Sequence, residues 1–95
     1  MAKVIWSPRA LADLEALAAY IDRDSADQAS LFVARIVEAA EGLGRFPELG
    51  HPAPEMRDPS WRHIIVGSYR VIYRVSGDAV RVNAVVHGAR QWRAP

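Results

Sequence analysis

The residues with chemistry to offer lie in the second half of this 95-residue chain. Residues 49–95 hold seven arginines (Arg57, Arg62, Arg70, Arg74, Arg81, Arg90, Arg93) against three acids (Glu55, Asp58, Asp78), a net +4, together with all three histidines, His51, His63 and His87. Residues 1–48 hold five basic groups against eight acids, a net −3. A guanidinium is planar, with donors in a fixed fork, and suits two-point contact with a carboxylate or phosphate. A charge split of this kind points to an interaction surface on the basic half. Its target- or phosphate-binding candidates are Arg62, Arg70, Arg74, Arg81, Arg90 and Arg93, with Trp92 between the last two as an exposed aromatic of the kind that dominates interfaces. The net charge of +1 for the whole chain argues against a general nucleic-acid binder.

Each of these residues also has a plain structural reading. Arg70 and Arg74 suit a solvated sheet face, His87 a strand-end histidine bonded to a backbone carbonyl, and Glu55 a loop carboxylate paired with Arg57 or Arg62. The histidines lack metal-ligand spacing and cysteine is absent, so no metal site, thiolate or cofactor is expected.

The elements that must position these groups follow from periodicity. Lys3–Trp6 is a short β-prone run that stops at Ser7-Pro8, where Ser7 can cap a helix whose first residue is proline. Leu11, Leu14, Ala18 and Ile21 then mark one helical face to about Arg23. Ser25 with Gln28 makes a capping box for a second helix, striped by Ala29, Phe32, Val33, Ile36, Val37, Ala40 and Leu43 and ended by Gly42 and Gly44. The short gap between them predicts an antiparallel helical hairpin. Pro47, Pro52, Pro54 and Pro59 with Gly50 make Phe46–Pro59 an ordered loop, pinned to the core by Phe46, Leu49 and Met56.

After the loop the period becomes two. Trp61–Val66, Tyr69–Val75 and Val80–His87 are strands, joined by turns at Gly67-Ser68 and Gly77-Asp78. Tyr69, Val71, Tyr73 and Val75, with Val80, Val82, Ala84 and Val86, should cover the helices. Arg70, Ile72, Arg74, Arg81, Asn83, Val85 and His87 should face outward. A two-residue turn sets Arg74 opposite Arg81, a like-charge pair destabilising by up to roughly 1 kcal/mol, which an anionic partner would offset. It also sets Arg70 opposite Val85, on the face of His87.

Composition bounds the rest. With 51% hydrophobic and 24% charged residues the chain reads as one domain, residues 1–95, and its elements make that domain α+β, with two antiparallel helices packed on one face of a small antiparallel sheet and the first strand adding at an edge. The longest apolar run, Ala16–Ile21, falls far short of the roughly 18 residues a membrane span needs, and the N-terminus leads into no secretory segment. The expectation is a cytoplasmic protein with no membrane partner.

In this order the elements resemble the RelE/ParE superfamily of toxins from bacterial type II toxin–antitoxin modules. The strings that carry the resemblance are Ile5-Trp6-Ser7-Pro8-Arg9-Ala10-Leu11-Ala12-Asp13-Leu14-Glu15, Tyr20-Ile21, Phe46-Pro47-Glu48-Leu49-Gly50-His51-Pro52, Gly67-Ser68-Tyr69-Arg70-Val71-Ile72-Tyr73-Arg74-Val75 and Val85-Val86-His87-Gly88-Ala89-Arg90. The resemblance implies a growth-inhibiting toxin held by a tightly bound cognate antitoxin. It implies one of two targets: DNA gyrase, poisoned without catalysis in ParE-like members, or the ribosome with its mRNA, cut by RelE-like endoribonucleases.

Metal-free RNA cleavage needs a base, a cation for the phosphorane and an acid. In the glutamate-using ribonucleases these come from a loop Glu, an Arg on the middle strand and a His ending the last strand. Arg70 and His87 match the last two positions. Ala53 stands where the glutamate belongs, with Glu55 two residues on, and Gly88 stands where an aromatic often follows the histidine. Lys3 is the only lysine. The resemblance therefore leans to the ParE-like branch, with Arg70, His87 and Glu55 as the catalytic set only on the ribonuclease alternative.

Overall fold

The computed structural model describes residues 1–93; Ala94 and Pro95 lie outside the described residues. The chain runs β1 (Lys3–Trp6), α1 (Pro8–Asp22), α2 (Ala26–Gly42), β2 (His51–Pro52), β3 (Trp61–Val66), β4 (Tyr69–Ser76) and β5 (Ala79–His87). This is the expected α+β order. The Ser7 and Ser25 hydroxyls accept the N–H groups of Ala10 and Gln28, each satisfying a donor that the first helical turn leaves without a partner. The buried face of α1 is Ala10, Leu14 and Leu17, and Leu11 of the expected row is 48% exposed. The small Ala10, fully buried, lets α1 approach β5 closely.

The strands form one mixed sheet in the order β1-β5-β4-β3-β2, with β1 parallel to β5 and the rest antiparallel. The first strand adds at an edge, as expected. The opposite edge gains a fifth strand within the proline loop, where Pro52's missing N–H is tolerated. Both hairpin turns place glycine first with φ 59°, a backbone that glycine adopts without strain. Arg74 lies opposite Arg81 as the turn requires.

One residue further on, the register slips. Tyr73 opposes Val82 whereas Ile72 opposes Ala84, so Asn83 is an extra residue in β5. Side chains alternate with period two, so a one-residue bulge inverts every later position. Arg70 therefore faces Val86 rather than Val85, and His87 turns to the helix side with Tyr69. The expectation that Arg70 and His87 share a face is overturned by this bulge. The bulge sits where β1 ends and α1 takes over the edge of β5. There Ser7 N–H donates to Val82 O, the Ser7 hydroxyl to Asn83 O, and Val85 N–H to Asp13 Oδ2 at 2.9 Å.

Both faces of the sheet are covered. On the helix side Ala10, Leu14, Leu17, Ile36 and Ala40 pack on Val66, Val71, Val82 and Val85, and Leu43 packs with Tyr73 and Val80. The face expected to meet solvent carries a second core of Trp61, Ile72, Ala84 and Val86, roofed by Ala53 and Met56 of the loop and by Trp92. The loop is fastened by Tyr73, whose hydroxyl donates to Pro47 O at 2.8 Å and accepts Gly50 N–H at 2.9 Å. Burial pushes that hydroxyl's pKa up, keeping it a donor. Phe46 and Leu49, expected to pin the loop, are 60% and 64% exposed. A side chain at position 50 would meet the Tyr73 and His63 oxygens at 2.6 Å, so the loop can pass here only as glycine.

Candidate functional site

Arg70 stands on the central strand, beneath the loop and the C-terminal tail, and is 5% exposed. A guanidinium leaves water only with partners for its donors. Nη1 and Nη2 grip the Glu55 carboxylate, each at 2.6 Å, Nη1 also reaches Arg90 O at 3.3 Å, and Nε donates to His63 Nδ1 at 2.9 Å. Glu55 Oε2 in turn accepts Trp92 N–H at 3.0 Å. One ion pair thus joins loop, sheet and tail.

Electrostatics fix the charge states of this hub. The hydrogen bonds from Arg70, helped by Trp92 N–H and opposed by burial, hold Glu55 at a pKa of about 2 rather than 4.5. Burial first, then the Arg70 charge, pushes His63 below its ordinary 6.5. His63 accepts through Nδ1, so its proton sits on Nε2.

The tail turns away from β5 through Gly88 N–H to Ser68 O and Arg90 N–H to His87 O. Trp92, expected at the surface between two arginines, is 3% exposed. Its ring lies 5.1 Å from that of Trp61 at 51°, because the second core needs a cover that the helices cannot supply from the far side. Its Nε1–H is buried with no hydrogen-bond partner among the described residues. Arg90 and Arg93 are exposed on either side, at an open cleft of about 730 Å³ lined also by Glu55, Arg70 and Gln91.

The other sequence candidates are spread out. Arg70 and Glu55 come together, in place of the expected pairing of Glu55 with Arg57 or Arg62. Arg62 donates to the Gly50 and Glu48 carbonyls. Arg74 donates to Asp58 Oδ2 and to the Ser60 hydroxyl, each at 3.1 Å, and its guanidinium lies 5.3 Å over the Trp61 ring. The Arg74–Asp58 pair sets an opposite charge beside the Arg74–Arg81 juxtaposition within the chain itself. Bonds from Ser60, then Arg74, hold Asp58 below the usual carboxylate range. Arg81 is exposed. His87 sits edge-on to Tyr69 at 5.4 Å, and its Nδ1 accepts Ala89 N–H where a carbonyl partner was expected.

Sequence reasoning missed His63 as a partner of Arg70. Its place two residues after Trp61 in a period-two strand was the available signal. Among the described residues no three His, Asp or Glu groups converge as metal ligands, and no helix is long and apolar enough to cross a membrane.

The family model of the ParE toxin of type II toxin–antitoxin systems, parDE, matches residues 4–92. The chain belongs to the ParE toxin family. It is the toxin of a type II toxin–antitoxin system, similar to Y4kP of Sinorhizobium fredii (36% identity, 95% of this chain and 92% of that protein) and to toxin RelE2 of Caulobacter vibrioides (35%, 95% and 99%). The fold matches a solved structure of the chromosomal ParDE system of P. aeruginosa with a TM-score of 0.76 at 23% identity, over 92% of this chain and 96% of that one. Within this ParE-family toxin the Arg70 hub is the built feature, with the exposed Arg90 and Arg93 at its cleft.

Proposed function

We propose that this toxin acts in the cytoplasm by binding and poisoning DNA gyrase, performs no covalent chemistry itself, and is neutralised by a cognate antitoxin. The observation that carries the proposal is the closed Arg70–Glu55 pair with His87 on the other side of the sheet. A general base works best with a pKa near the operating pH. Glu55, at about 2, is a committed anion, and its partner Arg70 has no donor fork left for a phosphorane. What the molecule offers a target is Arg81, Arg90 and Arg93, exposed, with Arg74 half-exposed and Arg62 at the loop. Trp92 serves as the anchor that sets Arg90 and Arg93 in place. The antitoxin assignment is supported by the family and by the ParDE system among the structural neighbours.

The RelE2 name of the Caulobacter relative favours a second reading, a ribosome-dependent mRNA endoribonuclease. There Arg70 would stabilise the phosphorane, His87 would be the acid and Glu55 the base, after Glu55 had left Arg70. The test is to add the purified toxin to gyrase with supercoiled DNA and, separately, to ribosomes translating a defined mRNA. Gyrase-dependent DNA breaks with intact mRNA are expected. Cleavage of ribosome-bound mRNA with gyrase unaffected would overturn the proposal.

A further inference from the structure

The contact between Arg70 and His63 has a use that the pairing with Glu55 does not exhaust. Arg70 Nε–H points at His63 Nδ1 at 2.9 Å, a bond that only a neutral imidazole can accept. The same guanidinium holds Arg90 O and, through Glu55, Trp92 N–H. Tail docking is thus wired to the protonation state of one histidine.

We infer that His63 is a positioning residue for the C-terminal tail: neutral, it orients Arg70 and keeps Trp92 docked, and on protonation it releases the tail. The groups facing it are Arg70 from β4, Glu55 from the loop and His51, its cross-strand partner on β2. Arg70 and His51 disfavour a charge on His63, whereas Glu55 favours it. A protonated His63 can no longer accept from Arg70 and adds a cation at hydrogen-bond distance. Glu55 is then drawn between two cations, and Trp92 N–H loses its acceptor.

Docking is also poorly insured. The buried Trp92 Nε1–H has no hydrogen-bond partner among the described residues, and such a group is destabilising until it reaches water. The sign follows from the bond itself: only the neutral ring accepts from Arg70, so docking is favoured while His63 is neutral and weakens as pH falls and the ring takes up a proton. The bearing on target binding rests on the proposed role of Arg90 and Arg93; the docking switch itself does not depend on the target.

The experiment is a pH titration of the full chain from 8 to 5 by heteronuclear NMR, following the His63 ring and the Trp92 indole N–H together, with far-UV circular dichroism alongside. The Trp92 indole resonance is expected to move to a solvent-exposed position in step with His63, at unchanged helix content. His63→Gln, which keeps an acceptor but cannot titrate, should hold the Trp92 resonance still, and His51→Gln should leave the step in place. Four results would overturn the inference: a Trp92 signal unmoved while His63 titrates, a step that persists in His63→Gln, a step that vanishes in His51→Gln, or a step that coincides with loss of helix signal. If His63→Gln fails to fold, the comparison of the two wild-type titrations decides alone. None of these outcomes involves gyrase, so they are separable from failure of the proposed function.

Discussion

Breaking one partner of a buried ion pair leaves the other charge stranded, which is why such pairs cost more to disrupt than they contribute. Arg70 with Glu55 is this case, with side chains 6% and 15% exposed. Glu55→Gln keeps one acceptor and loses the charge, so the toxin should lose about 2–3 kcal/mol in urea unfolding at pH 7. The pH dependence has a definite sign. Glu55 is lowered from 4.5 to about 2, so its contribution is complete above about pH 4.5 and is lost as pH falls toward 2. Unfolding at pH 7, 4 and 3 should show this acid slope in the wild type and a flatter one in Glu55→Gln. The residue types of the site were legible from charge and spacing, and the partnerships were not. Glu55 lies in a loop without periodicity, so nothing in the sequence says which arginine its carboxylate meets.

At the level of elements the bulge at Asn83 decides which groups can meet. Turn chemistry gave the Arg74–Arg81 register correctly, and alternation carried from it failed two residues later, because a single extra residue leaves no mark in an apolar β-branched strand. Asp13 shows what stabilises the irregularity. It reaches from α1 to take the Val85 N–H beyond the end of β1. Asp13→Ala should leave that donor without a partner and destabilise the fold by about 1–3 kcal/mol in denaturant unfolding. Tyr73→Phe should cost a similar amount, by orphaning both Pro47 O and Gly50 N–H, and should loosen the proline loop first, seen as faster amide exchange at Gly50. The hairpin, caps and strand boundaries were readable because each rests on local rules. The second core was not, since its cover comes from a loop and a tail whose paths depend on tertiary contacts.

For the whole molecule, the sheet is closed on one side by helices and on the other by loop and tail, and this second closure sets Arg90 and Arg93 outward around a buried anchor. Replacing both with alanine should change stability by no more than about 0.5 kcal/mol, as exposed sites do, while abolishing growth inhibition on induction. His87→Gln should leave growth inhibition in place, because on the binding account His87 performs no chemistry. The family and its role are shown by the chain as a whole, whereas the target depends on whether the hub ever opens to do catalysis. Inducing the toxin alone in a bacterial host, with reporters for DNA damage and for translation read together, tests that most directly. Poisoning of gyrase should give early damage signalling while translation still runs. A prompt stop in translation with no damage signal would contradict it.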